Sequence, residues 1–155
     1  MSIKMIRTLA LSGAILFAVI VLLVMLAPGL SMTVVGTKVT TSVYDLLSYG
    51  DETQAGLIVA LVFVCLALAL LLCTLVSFLI NKACKYDWIV AVFGGLLLKV
   101  AGVLFFCTRV LLEVNGSSVI HLGAGAIVAG VFSFLAAMAY DLYGGTRFGE
   151  FRDRK

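Results

Sequence analysis

The sequence predicts an all-α membrane protein, an up-down bundle of four transmembrane helices, and three observations carry that expectation. Of its 155 residues, 63% are hydrophobic and 12% charged, with a mean hydropathy of +1.22, whereas a soluble domain is about half apolar and a quarter charged. Such a chain cannot cover a water-facing surface. The apolar residues gather in four runs, each reaching the roughly 18 residues that separate a membrane-crossing helix from a core helix. The lysines and arginines concentrate in some connections and avoid others. At roughly 20 residues per crossing, four spans use most of the chain, and residues 1–155 read as a single integral membrane domain.

The spans are Thr8 to Ala27, Gly56 to Ile80, Trp88 to Leu112 and Val119 to Leu142. Lipid offers no partner to exposed backbone N–H and C=O groups, and the alternation of a barrel strand is absent, so each run is expected to be helical. Lys4 and Arg7 precede the first span, Lys82 and Lys85 separate the second from the third, and Arg147, Arg152, Arg154 and Lys155 follow the fourth. The other two connections carry Lys38 alone. Eight basic residues against one place both termini on the cytoplasmic side, with 28–55 and 113–118 facing outside or the lumen, and a plasma (inner) membrane is the expected location. The first span is too long for the apolar part of a signal peptide, and Pro28 spoils the cleavage site, so it is read as retained.

Boundary signals fit these spans. Asp51 with Gln54 resembles a capping box, Asp87 can cap the third span and Ser117 or Ser118 the fourth, and Gly144-Gly145 reads as a left-handed stop. Short links at 81–87 and 113–118 make the last three spans antiparallel hairpins. In the long outer loop 28–55, Ser31 to Tyr44 is rich in valine and threonine. Val39, Thr41 and Val43 alternate there with Thr40, Ser42 and Tyr44, and Gly36-Thr37 is a turn. This reads as a two-stranded β-ribbon that must pack on the helix ends or on a neighbouring chain. Tyr44 to Tyr49 then suits a helical turn at headgroup depth. The layout, a ribbon after span one and then three closely spaced spans, is similar to that of claudin-like tetraspan proteins. That family carries a tryptophan-containing motif and a cysteine pair in this loop, and 28–55 contains neither. The similarity is therefore one of topology and implies no junction or pore function.

Chemistry is sparse. Cys65 and Cys73 fall in the second span, Cys84 in the inner link and Cys107 in the third span. With no C-x-x-C and no cysteine in an outer loop, a membrane thiol oxidoreductase is excluded. His121, the single histidine, cannot build a bis-histidine haem or a metal site, and reads as a headgroup or carbonyl partner. No Ser-His-Asp set, phosphate loop or intramembrane carboxylate pair is apparent. No catalytic, cofactor-binding or metal residue is expected, no cofactor, and no nucleic-acid partner. Asn115-Gly116-Ser117 matches a glycosylation acceptor but lies too close to the bilayer to be used.

Lys99 is the strongest anomaly, since it sits near the middle of the third span, where insertion costs about 2.5 to 3.5 kcal/mol. No acidic residue is expected at its depth; within the chain, backbone carbonyls, including that of Gly95, and the Ser133 hydroxyl are its expected neighbours. Three readings stay open: snorkelling to the inner interface, pairing with a carboxylate on another protein, or lining a water-filled path. A second cluster, Arg109, Glu113 and His121, gathers at the outer end and pins the turn or binds a headgroup. A stripe of small residues, Gly125, Ala129, Ser133 and Ala137, suits close packing against the first or third span, where Gly94-Gly95 offers a flat surface, or against another copy. The tail Thr146 to Lys155 alternates basic residues with Phe148 and Phe151 and suits the inner interface, or a docking peptide. The expected function is a non-enzymatic tetraspan subunit that meets the lipid bilayer and assembles with itself or with other membrane subunits. The alternative is a homo-oligomeric minimal transporter or channel with Lys99 on a shared path.

Overall fold

The computed structural model describes residues 3–34, 37–42, 55–80, 86–112 and 120–153. Four long helices dominate it: α1 (Ile3–Val24), α2 (Ala55–Leu79), α3 (Asp87–Leu112) and α4 (Ala124–Asp153). All four contain a stretch long and apolar enough to cross a membrane. The chain is thus a multi-pass membrane protein by length and composition, its backbone groups satisfied within each helix as hydrocarbon requires.

Side-chain contacts fix the directions. Gly94 of α3 lies against Tyr140 of α4 and Gly102 against Phe134, so these helices run antiparallel. Arg7 of α1 reaches Thr146 and Glu150 of α4, while Phe17 meets Phe132, which makes α1 and α4 antiparallel too. Across the diagonal, Thr74 and Phe78 of α2 meet Tyr140 and Tyr143 in the same order along both chains. The bundle is therefore up-down-up-down, with α4 flanked by α1 and α3, and α2 closing the ring. The ends of α1 and α4 nearest the chain termini lie together at one end, here called the terminal end.

Small residues set the spacing of the helices. Ala10, Ala14 and Ala18 of α1, Ala60 and Ala67 of α2, Ala91 and Ala101 of α3, and Ala129, Ala136 and Ala137 of α4 are all buried in the core. Lipid tails are as apolar as leucine, so burying large apolar side chains gains little in a bilayer, and close backbone approach over alanine and glycine provides the packing instead. Leucine, valine and isoleucine correspondingly cover the outside, with Leu23, Leu26, Leu79 and Met138 each more than half exposed.

At the other end three short strands, β1 (Pro28–Val34), β2 (Thr37–Ser42) and β3 (Ile120–Leu122), form an antiparallel sheet in the order β2-β1-β3. The lone two-stranded ribbon expected from the loop differs from this arrangement, because β3, between α3 and α4, pairs with β1 through Leu30–Leu122, Ser31–His121 and Met32–Ile120. Two strands alone are marginal, and a third supplies ladder bonds to an edge that would otherwise face solvent. Pro28 opens β1, where its missing N–H is tolerated, and the register slips between Pro28 and Leu30.

Three boundaries change. The first helix begins at Ile3, so Arg7 belongs to the helix and not to its flank. Within the expected fourth span, Ile120–Leu122 is a strand and the helix begins only at Ala124. Gly144-Gly145 does not stop it: α4 continues to Asp153. A Cβ on Gly144 would come within 2.9 Å of the Ala91 Cβ, so close packing on α3 is what that glycine serves. The tail read as an interfacial peptide is accordingly the last turns of α4 up to Asp153. The Asp51–Gln54 capping box, the Tyr44–Tyr49 turn, the Ser117 or Ser118 cap, the Asn115 acceptor site, Lys82, Cys84 and Lys85 lie outside the described residues.

Candidate functional site

Lys99 has an acidic partner after all. Its Nζ donates to Asp141 Oδ2 at 2.5 Å, an ion pair between α3 and α4. The expectation that no carboxylate lies at its depth, leaving backbone carbonyls and Ser133, is corrected by the register of the two helices. Gly95 faces Asp141, one turn closer to the terminal end than Lys99. Side chains on a helix lean toward its N-terminus, which for α3 is the terminal end, so the lysine stem spans that turn of about 5.4 Å. Gly95 also makes the room: a Cβ there would come within 2.4 Å of Asp141 Oδ1. Ser133 donates to the Ala129 carbonyl of its own helix and is fully buried.

The pair is not sealed. Side-chain exposure is 44% for Lys99 and 37% for Asp141, on the outer edge of the α3–α4 seam. Around it Val92, Leu96 and Val103 of α3 and Met138 of α4 are exposed and apolar. A charged pair set among such residues puts two charges on a lateral surface whose described neighbours are suited to lipid.

The other anticipated groups fare differently. Gly125, Ala129, Ser133 and Ala137 are all buried inside the bundle, so the stripe faces neighbouring helices. Beside it, Gly130 accepts the Phe106 ring and Gly102 the Phe134 ring, and the two rings stack at 6.2 Å. The flat surface at Gly94-Gly95 is covered mainly by Tyr140 and Asp141, and of the stripe the Ala137 carbonyl comes within 3.7 Å of the Cβ position at Gly95. Of the outer cluster, Arg109 belongs to α3 and His121 to β3, where its backbone pairs with Ser31; Glu113 lies outside the described residues. Cys65, Cys73 and Cys107 are free and exposed, on the outside of the helices. Among the described residues no group of three His, Cys, Asp or Glu side chains comes together to hold a metal.

A second polar cluster, unanticipated, closes the terminal end. Arg7, 4% exposed, pairs with Glu150 at 2.7 Å, donates Nε to Thr146 Oγ1 at 3.2 Å and donates its other terminal nitrogen to the Thr146 carbonyl at 2.8 Å. Thr146 in turn donates to the Tyr143 carbonyl. Arg147 reaches the buried Asp87 carboxylate at 3.5 Å, Glu150 at 3.3 Å and the Tyr143 hydroxyl at 3.3 Å, and packs over the Tyr143 ring. One step deeper, Tyr140 and Thr74 share a 2.7 Å hydrogen bond; since Thr74 Oγ1 donates to the Leu70 carbonyl, Tyr140 is the donor between them. The network ties α1, α2, α3 and α4 together at one end. The sequence signal for it was the arginine seven residues into the chain and the T-R-x-x-E run at 146–150, read as flanks because Gly144-Gly145 resembled a stop.

Comparison with protein-family models, with curated proteins and with solved structures gives no match to this chain.

Proposed function

We propose that the chain is a non-enzymatic integral membrane subunit, a structural or accessory component of a membrane protein complex. In this reading it sits in the plasma (inner) membrane with both termini cytoplasmic. The orientation rests on the basic residues gathered at the terminal end and in the link between α2 and α3. The function rests on one observation: the Lys99–Asp141 pair is half exposed on the lateral surface and framed by Val92, Leu96, Val103 and Met138. Hydrocarbon solvates neither charge, so another protein surface is the better cover for this seam.

The test is a photoreactive residue at Leu96 or at Met138, activated in intact membranes. The reading expects a protein adduct at both positions and none from Leu23, which is exposed on the far end of α1. Adducts with lipid alone at all three positions would overturn it. The same half-exposed ammonium favours a second reading, a homo-oligomeric minimal transporter or channel with Lys99 on a shared path. That reading expects Lys99→Leu to keep protein adducts while changing charge selectivity in reconstituted vesicles.

A further inference from the structure

The lateral ion pair has a geometric property that selects its partner. The Lys99 ammonium and the Asp141 carboxylate meet on one outward seam, the cation carried by α3 and the anion by α4, the lysine stem covering the one-turn offset between the two residues. Every copy inserted in one membrane has the same orientation, so two copies related by a two-fold axis along the membrane normal present this seam at the same depth. Viewed from outside, each copy shows the two charges in the same left-to-right order, and turning one copy to face the other reverses that order. Each Lys99 then opposes the partner copy's carboxylate, and each Asp141 the partner copy's ammonium. The patch is self-complementary, as a two-fold interface requires. A lone transmembrane helix with one polar group would match only half of it.

Two further features suit such a contact. An ammonium has three protons and a carboxylate several acceptor positions, and the single described bond between them leaves capacity on both sides for a second pair. On α4, Gly145 and Gly149 follow Asp141 at successive turns, and a Cβ at either would meet nothing within 4 Å. Inside the bundle, Gly94, Gly95, Gly102, Gly130 and Gly144 each face a side chain closer than ordinary contact; Gly145 and Gly149 face open space. Glycines four apart on an outward helix edge allow the backbone of another helix to approach closely. The charge pair adds the polar recognition that glycine spacing alone lacks.

We infer that the chain forms a parallel homodimer through the α3–α4 seam, with Lys99 and Asp141 of the two copies closing a four-membered ring of alternating charge. The inference rests on the subunit reading above and names the second copy as the partner.

The test is a charge exchange between copies. Chains carrying Lys99→Asp hold two acids at the seam and chains carrying Asp141→Lys hold two bases; both lose the pair within the chain. Energy transfer between labelled copies is measured in bilayers while the chain is diluted with lipid. Wild-type chains should associate, each reversed variant alone should weaken by about tenfold per pair lost, and an equal mixture of the two should recover association as mixed dimers. Gly145→Leu, which adds bulk only where space is open, should keep the fold and reduce association similarly. Wild-type chains that stay apart at every dilution, or a mixture no better than either variant alone, would overturn the dimer. If wild-type chains stay apart but Leu96 and Met138 still give adducts with another protein, the dimer falls and the subunit reading stands. If those adducts are absent as well, both fall.

Discussion

Two of the interhelical ion pairs, Arg7–Glu150 and Lys99–Asp141, are of opposite design. Arg7–Glu150 joins α1 to α4 with an arginine that is almost fully enclosed and bonded at three points. Lys99–Asp141 joins α3 to α4 with a lysine half open to the outside and one described bond. A planar guanidinium holding a carboxylate, a hydroxyl and a carbonyl together is fixed in orientation, whereas an ammonium on a flexible stem is a point charge that can swing. The first arrangement suits holding a bundle end closed. The second suits a charge that must also serve a neighbour. Burial and bond number, more than the presence of an ion pair, separate a pair that is locked in place from one that stays open to its surroundings.

The largest effect that would break this comparison is at Arg7. Arg7→Met should destabilise the fold by about 3 kcal/mol, since removing one member of an enclosed pair leaves the other partners desolvated without compensation. Glu150 is 39% exposed, which keeps the figure at the lower part of the range. Arg7→Lys should recover only part of it, because a lysine cannot hold Thr146 and Glu150 at once. Thermal unfolding in detergent, followed with all three proteins side by side, checks the order. An Arg7→Met protein as stable as wild type would mean that the terminal-end network contributes nothing.

Next in size is the glycine contact above that network. A Cβ at Gly94 would come within 2.4 Å of Tyr140 Cε1, and the ring is fully buried and tied through its hydroxyl to Thr74. Gly94→Ala should therefore cost about 1 to 3 kcal/mol as overpacking. Gly13→Ala, at a helix position with open space around it, should be neutral or stabilising by up to about 1 kcal/mol. Equal unfolding temperatures for the two variants would show that α3 and α4 do not approach as closely as Gly94 implies.

Smaller still is the bond between α2 and α4. Tyr140→Phe removes the donor to Thr74 but leaves Thr74 Oγ1 its own partner, the Leu70 carbonyl. Nothing polar is stranded, so the loss should be about 0.6 to 1 kcal/mol, the usual worth of one interhelical hydrogen bond in a membrane protein. Thr74→Val leaves the fully buried Tyr140 hydroxyl without its acceptor and should cost more than Tyr140→Phe, while the double variant, which strands nothing, should return to about the Tyr140→Phe loss.

The bundle itself was legible in the sequence because the property that defines a span, a long apolar run, is local. Lys99 was legible as an anomaly for the same reason. Its partner was not, because depth within a bilayer is a relation between two helices. Asp141 could be matched to Lys99 only once Gly95 and Asp141 were known to face each other, and only by following the lysine stem one turn toward the helix N-terminus. A single misreading hid the other network. Gly144-Gly145 resembles a helix stop, so Thr146, Arg147 and Glu150 read as a tail and Arg7 as a flanking charge. In the fold that glycine pair divides its roles: Gly144 packs against Ala91 and Gly145 lies open on the outside. The sheet was only half visible, since the three residues of β3 show no periodicity and their strand character comes from β1 beside them.

The smallest expected effect on the fold sharpens the comparison most. Replacing both Lys99 and Asp141 by leucine removes the insertion cost of the lysine and strands no partner, and buried ion pairs exchanged for apolar residues of similar size are often neutral or stabilising. The double variant should therefore unfold within about 0.5 kcal/mol of wild type or above it, in contrast to Arg7→Met. Lys99→Leu alone should fall slightly below the double variant, because Asp141 then keeps its charge without the lysine. Unfolding temperatures at a detergent ratio that keeps the chains apart isolate this term from any contact between copies. A double variant that unfolds as readily as Arg7→Met would make the Lys99–Asp141 pair a second structural clamp, and the distinction between an enclosed pair that holds the bundle and an open pair that faces a neighbour would collapse.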